Sequence, residues 1–177
     1  MFEDEGQQQF FMLNEGTEDF YNFKDWRLED EEEETVEEDV DLKKIVIVDS
    51  SPFFRNILKN HLETAGYKVL GNFSAAQETC EFLSQEPVRF VAVDIDQTDG
   101  GNAKSVHLIA DAQPHTVFIL SSSRFSKEQA ASIGERPYYF LLKPVTRETL
   151  EKVMKKAYDT ELARKVKPKE SPPNPTQ

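Results

Sequence analysis

Short apolar runs end in a polar residue at four places along the chain. Each run has four or five apolar residues bounded by polar or turn-forming residues, which is the pattern of a strand buried on both faces of a parallel sheet. The polar residues at their ends are Asp49, Asp94, Ser121 and Lys143. Ligands bind outside the carboxyl ends of strands in an open parallel sheet, so we expect these side chains to converge on one polar site.

Segments with helical spacing separate the runs. Ser51 is a good N-cap with Pro52 at the first helical position, and apolar residues then recur every three or four positions. A short strand at 67–70, a cap at Ser74 and a helix around 126–133 continue the alternation. This rhythm predicts an α/β fold: a five-stranded parallel, doubly wound sheet with helices on both faces, in the flavodoxin-like order 2-1-3-4-5.

Acidic residues are concentrated ahead of the predicted sheet. Residues 1–41 hold 17 Asp and Glu against Lys24 and Arg27, whereas the rest of the chain holds 16 acids and 19 bases. Such an acidic tract predicts a largely disordered leader. We therefore divide the chain into a leader at 1–41, a domain at 42–160, and a basic helix extension with a Pro-rich tail at 161–177.

The leader also carries many aromatic residues, seven within its first 26 positions. Mixtures of acidic and aromatic residues often act as short linear motifs that become ordered on a basic, apolar groove of a partner. The alternative is a solvating tail whose aromatic residues are incidental.

Several classes of protein are disfavoured by composition. No stretch approaches 18 consecutive apolar residues, so we expect no membrane insertion. The N-terminus lacks the features of a signal peptide, and the single Cys80 allows no disulfide framework, so a cytoplasmic protein is the simplest interpretation. The strongly acidic leader argues against nucleic acid as the main partner. The three histidines lie far apart without metal-ligand spacing.

The segment 48–56, Val-Asp-Ser-Ser-Pro-Phe-Phe-Arg-Asn, carries a resemblance to a known family. It is similar to the Val-Asp-Asp-Ser-Pro-Phe-Phe-Arg-Asn of response-regulator receiver domains (CheY-like), particularly those of the chemotaxis type. The Lys143-Pro144 pair after the fifth strand is specific to these domains. The intervals fit as well, since Asp94 follows Asp49 by 45 residues and Lys143 follows Ser121 by 22.

The resemblance implies a role for each residue at the predicted strand ends. Asp94 would be the phosphoacceptor, and Asp49 would be one of the acids that hold Mg²⁺. The Ser121 hydroxyl and the Lys143 ammonium would each contact a phosphoryl oxygen. These roles suit phosphoryl transfer, in which positive charge offsets crowded anionic oxygens.

The resemblance also implies two aromatic contacts. Phe140 falls where the family often has an aromatic side chain whose rotamer reports phosphorylation. Phe53 and Phe54 are adjacent, so we expect one ring to pack inward and the other to lie near the surface. An exposed Phe53 beside the site would contact a partner, although core packing is the usual role of a phenylalanine.

Two departures from the family pattern affect the metal site. Ser50 stands where the family usually has a second acid, so Mg²⁺ should bind weakly. The loop after Asp94 is short and lacks the usual proline. Asp96, two residues beyond the acceptor, is the candidate side chain to replace the missing acid as a metal ligand.

The resemblance predicts a stand-alone response regulator of the chemotaxis or motility kind. It would take a phosphoryl group from a histidine kinase and bind a downstream protein through its fourth helix, fifth strand and fifth helix. One alternative is a pseudo-receiver that binds partners without phosphorylation. Another is a small α/β phosphatase with Asp94 as nucleophile, which would need Asp96 as its general acid.

The opposite charges of the leader and the last helix lead to one further expectation. Flexible, oppositely charged segments attract each other, although salt screens this attraction beyond about 8–10 Å. We therefore expect the leader to fold back over the surface formed by the fourth helix, fifth strand and fifth helix.

Overall fold

The computed structural model describes residues 10–12, 20–22, 40–96 and 103–166, with only the backbone described in the first two ranges. Its strands are β1 (Phe10–Met12), β2 (Phe20–Asn22), β3 (Lys44–Val48), β4 (Lys68–Phe73), β5 (Phe90–Asp94), β6 (Val117–Ser122) and β7 (Tyr138–Leu142). Its helices are α1 (Pro52–Thr64), α2 (Ala76–Leu83), α3 (Lys104–Ala112), α4 (Lys127–Ile133) and α5 (Arg147–Val166).

The strands form one sheet in the order β1-β2-β7-β6-β5-β3-β4. The five strands from β3 to β7 are parallel and have the predicted order, which confirms the flavodoxin-like fold. The prediction was incomplete at one edge, where β1 and β2 add two antiparallel strands to β7. These two strands belong to the segment that we expected to be largely disordered, and the other residues of that segment up to position 39 lie outside the described residues.

Local capping signals explain several helix boundaries. Ser51 caps α1 by accepting a hydrogen bond from Phe54 N, as predicted. Ser126 and Gln129 form a reciprocal capping box at the start of α4. The predicted cap at Ser74 is wrong, because the N-cap of α2 is Ala75, which has no side-chain hydrogen bond. The predicted extension of the last helix past Glu161 is present as far as Val166.

Both faces of the sheet are buried. Alternate residues of β3 point to opposite faces, so Val46 and Val48 pack in a cluster that includes α2, α3 and α4 side chains. Ile45 and Ile47 pack in a second cluster with side chains of α1 and α5. This double burial explains why the strands are continuous apolar runs rather than alternating ones.

The part of the chain that the structure describes contains no helix that is both long enough and apolar enough to cross a membrane.

Candidate functional site

The carboxyl ends of the parallel strands bring the predicted side chains to one edge of the sheet. Asp49 directly follows β3, Asp94 is the last residue of β5, and Lys143 directly follows β7. Ser121 lies in β6 and is paired with Asp94 in the sheet register. Asp49, Asp94 and Ser121 are only 4%, 1% and 7% exposed. The site is therefore a buried acidic cluster with a hydroxyl and a lysine beside it.

Lys143 is ion-paired with Asp94. Its Nζ donates to Asp94 Oδ2 over 2.7 Å and lies 3.8 Å from Asp96 Oδ2. The Asp94 side chain is completely buried, whereas Lys143 is 17% exposed at its side chain. Asp94 Oδ1 accepts a hydrogen bond from the backbone N–H of Asp96 over 2.9 Å. Both oxygens of Asp94 are thus already oriented by donors.

Asp49 is held by the start of α1. Its Oδ1 accepts the backbone N–H of Ser51 over 2.7 Å, and its carbonyl accepts a hydrogen bond from Arg55. Burial raises the pKa of Asp49, the hydrogen bond from Ser51 opposes that rise, and the nearby Asp94 carboxylate adds to it. Asp49 and Asp94 lie within hydrogen-bonding reach of each other. Two buried carboxylates this close favour a cation beside them.

Asp96 turns toward the end of β6. Its carboxylate accepts hydrogen bonds from the Ser122 hydroxyl, the Ser123 hydroxyl and, over 2.6 Å, the Ser123 backbone N–H. Partial burial raises the pKa of Asp96, but these hydrogen bonds and the charge of Lys143 outweigh burial, so the pKa lies below its ordinary value. Asp96 is therefore an ionised carboxylate that joins the β5 and β6 loops.

The serines at the end of β6 make different contacts from those that the sequence suggested. We singled out Ser121, which lies beside Asp94 in the register, whereas Ser122 and Ser123 make the hydrogen bonds to Asp96. Ser122 also accepts a hydrogen bond from Gln129 Nε2 over 3.3 Å, which connects the site to α4. The only sequence signal for this link was the three-serine run itself.

The two phenylalanines at the start of α1 are both exposed, Phe53 by 66% and Phe54 by 42%. Our expectation that one ring would pack inward is wrong. The rings contact each other edge to face, and Lys143 Nζ lies 5.2 Å from the centre of the Phe54 ring. An apolar patch therefore adjoins the site.

Phe140 is completely buried in β7. Its ring packs edge to face against Phe125, with the ring centres 4.7 Å apart. Phe125 belongs to the connection that follows Ser122 and Ser123, so this aromatic pair links the polar site to the core beside α4. The predicted role of Phe140 as a reporter of phosphorylation stays a prediction.

Sequence reasoning also missed Arg55, whose hydrogen bond to the Asp49 carbonyl depends on how α1 folds back over the strand end. The His107 ring connects α3 to α4, because its Nε2 lies 2.5 Å from the Ser132 carbonyl. Among the residues that the structure describes, no group of three or more His, Cys, Asp or Glu side chains is arranged as a metal cluster.

Several solved structures of receiver domains have a fold similar to that of this chain. A CheY-like response-regulator receiver domain protein from Methanospirillum hungatei has a TM-score of 0.61 at 23% identity, covering 70% of this chain and 99% of that one. The signal receiver domain of a modulated diguanylate cyclase from Desulfovibrio desulfuricans has a TM-score of 0.59 at 23% identity, covering 68% and 97%. The CheX–CheY–BeF3–Mg²⁺ complex from Borrelia burgdorferi gives 0.58 at 17% identity, covering 65% and 88%. The sequence matches no protein-family profile and no curated protein.

Proposed function

We propose that this chain, which has the CheY-like fold of response-regulator receiver domains, accepts a phosphoryl group on Asp94 from a histidine kinase. It would then signal by phosphorylation-dependent binding to another protein, in a cytoplasmic chemotaxis or motility pathway. The observation that carries this proposal is the 2.7 Å contact between Lys143 Nζ and the buried Asp94 carboxylate, beside Asp49. In this arrangement the carboxylate oxygen that we propose as the nucleophile lies next to a fixed positive charge.

The donor set suits a divalent cation. Asp49 and Asp94 are buried carboxylates within reach of each other, and hard oxygen ligands are those that Mg²⁺ prefers. These two residues would hold the ion, with Asp96 as a third predicted ligand if its carboxylate leaves the serines. When bound, Mg²⁺ would offset the negative charge of the phosphoryl oxygens. Ser50 in place of an acid favours weak binding.

The chemistry assigned to Asp94 is a simple displacement. A carboxylate oxygen of Asp94 forms a bond to the phosphorus of a phosphohistidine as the phosphorus–nitrogen bond of the donor breaks. The released imidazole takes a proton from solvent, and an acyl phosphate remains on Asp94. Lys143, already within 2.7 Å, would move its hydrogen bond from the carboxylate to a phosphoryl oxygen. Ser121, paired with Asp94 in the register, would supply a hydroxyl to a second oxygen.

Two surfaces are suited to the protein partners. The exposed Phe54 ring lies beside Lys143 and contacts the exposed Phe53 ring, and we propose this side for the approach of a kinase. The Phe140–Phe125 pair joins the β6–α4 connection to β7, so a change in that connection would reach the surface formed by α4, β7 and α5. We propose this surface for the downstream target.

Intact mass after incubation with a small phosphodonor and Mg²⁺ tests the proposal. One added phosphoryl group is expected for the natural sequence and none for Asp94→Asn. Asp111→Asn is a matched control, because the Asp111 side chain is 74% exposed and lies on α3, away from the strand ends. Incorporation that survives in Asp94→Asn would place the acceptor elsewhere and overturn this assignment.

A phosphorylation-independent interaction module is the second candidate, and Asp96 is the observation in its favour. The carboxylate of Asp96 already occupies the Ser122 and Ser123 donors and lies 3.8 Å from Lys143 Nζ. An anion is thus held beside the acceptor without any phosphate. An unchanged mass at saturating donor, with the fold intact by circular dichroism, would favour this candidate.

The phosphatase alternative receives less support. A general acid must carry a proton at working pH, whereas hydrogen bonds from Ser122 and Ser123 hold the pKa of Asp96 below its ordinary value. A steady release of phosphate from a chromogenic monoester, lost in Asp94→Asn, would reverse this judgement.

A further inference from the structure

β7 is the last strand of the five-stranded parallel core, so one of its edges faces away from β6. Lys143 N–H donates to Ser122 O over 2.9 Å, and Phe118 N–H donates to Pro137 O over 3.1 Å, so odd-numbered residues of this strand face β6. Successive residues of a strand direct their backbone groups to opposite sides. Tyr138 and Phe140 therefore direct their N–H and C=O groups away from β6.

The chain covers this edge with its own N-terminal segment. The backbone of β2 runs antiparallel to β7, with Asn22 opposite Tyr138 and Tyr21 opposite Tyr139. β1 then pairs with the far side of β2. Because Tyr138 faces outward, Asn22 and Tyr138 form the pair that exchanges backbone hydrogen bonds across this edge.

We propose that the outer edge of β7 is a strand-docking surface and that β2 of the same chain, backed by β1, is its resident occupant. An exposed strand edge is a template for another strand, and recognition by strand addition takes its affinity from main-chain hydrogen bonds. A partner that adds an extended segment to β7 must first displace β2. The proposal stands whether or not Asp94 is phosphorylated.

The length of the connection supports occupancy within one chain. Residues 23–43, which are 21 in number, separate β2 from β3. A tether of 21 residues has a maximal reach of roughly 70 Å. It keeps the segment at an effective concentration in the millimolar range. Even a weak strand contact is therefore formed within the chain, and a partner can still displace it.

Strand pairing makes a different prediction about salt from charge attraction. The acidic leader and the basic last helix would separate in about 1 M salt, where screening acts over about 3 Å. Main-chain hydrogen bonds carry no net charge and persist under those conditions. High salt therefore distinguishes a docked strand from an electrostatically held tail.

Amide hydrogen exchange on the full chain tests the proposal. In Asn22→Pro, which removes the N–H that faces Tyr138, exchange at the Tyr138 and Phe140 amides should rise by about tenfold or more. The Tyr139 and Leu141 amides, which face β6, should not change. Both results should hold in high salt. Thr35→Pro is the control, because it places proline between β2 and β3, and it should leave all four amides unchanged.

A peptide of residues 10–22, added to the Asn22→Pro protein, should restore protection at Tyr138 and Phe140, whereas a scrambled peptide should not. Equal exchange at these amides in the natural sequence and in Asn22→Pro would overturn the proposal. Protection that grows with protein concentration alongside a sedimenting dimer would also overturn it, since the occupant would then be a second copy of the chain.

Discussion

Lys143 Nζ lies 2.7 Å from Asp94 Oδ2, although the two residues are 49 positions apart in the sequence. The contact joins the ends of β5 and β7, which are separated in the sheet by β6. The Asp94 side chain in this contact is wholly buried. Removing Lys143 and removing Asp94 should therefore change the free energy of unfolding by different amounts.

The first prediction is that Lys143→Met destabilises the protein by about 3 kcal/mol, because it leaves the Asp94 charge buried beside Asp49 without a cation. Lys143→Met combined with Asp94→Asn should recover most of that loss, since the uncompensated charge is then gone. Urea unfolding of the two single variants and the double variant measures the coupling between the residues.

Lys152→Met is the matched control for this cycle. Lys152 pairs with Glu148 on α5, but both side chains are largely exposed, at 59% and 78%. Its loss should cost less than about 1 kcal/mol. Equal losses for Lys143→Met and Lys152→Met would mean that the Asp94 pair is screened by solvent, contrary to its burial.

The second prediction concerns the link between the β5 and β6 loops. Asp96→Ala removes the acceptor for Ser122 and Ser123, so the free energy of unfolding should fall by about 2 kcal/mol and the Ser123 amide should exchange faster. Asp41→Ala also removes an aspartate that accepts a backbone N–H, from Lys43 over 2.8 Å, but at an exposed turn. The link would be contradicted if the Ser123 amide exchanged no faster in Asp96→Ala than in Asp41→Ala.

The third prediction is that Ser50→Asp strengthens Mg²⁺ binding by about tenfold, because it adds a carboxylate next to Asp49. Calorimetry or NMR titration measures this, with Ser50→Asn as a control that adds a similar volume without charge. Equal affinities in the natural sequence and in Ser50→Asp would indicate that another group already completes the site. Asp96→Ala would then lower the affinity if Asp96 is that group.

The fourth prediction concerns Tyr67, which directly precedes β4 and whose hydroxyl donates to the Met154 carbonyl of α5 over 3.1 Å. Burial, with smaller contributions from Tyr158 and Asp159, raises the pKa of Tyr67 from 10.0 to about 12. The unfolded chain ionises first as pH rises, so stability from this group is complete below pH 10 and is lost as pH rises toward 12. Phenolate absorbance should show one late transition that Tyr67→Phe removes, and a transition near 10 for all tyrosines would refute the shift.

The parallel sheet could be predicted because its signals are local. Runs such as Ile45–Val48 are apolar at every position since both faces of the strand are covered. Helix starts at Ser51 and Ser126 follow from side chains that cap a nearby backbone N–H. Once the strands are placed, the parallel topology brings their carboxyl ends together, which is why Asp49, Asp94 and Lys143 could be singled out as neighbours.

The finer organisation of the site could not be predicted in the same way. Which of Ser121, Ser122 and Ser123 meets Asp96 depends on the path of two loops, and all three residues have the same chemistry. The exposure of both Phe53 and Phe54 depends on the rotation of α1 against the sheet. A one-residue spacing in the sequence does not determine that rotation.

The sequence by itself determined the parallel core and the polar residues at its strand ends, because burial and capping leave a record in neighbouring side chains. Only the tertiary structure decided that Phe20–Asn22 adds to the edge of β7. The aromatic and acidic composition around that segment predicted disorder or charge attraction. Strand addition depends on backbone N–H and C=O groups, which every residue except proline carries, so composition leaves no record of the partner strand.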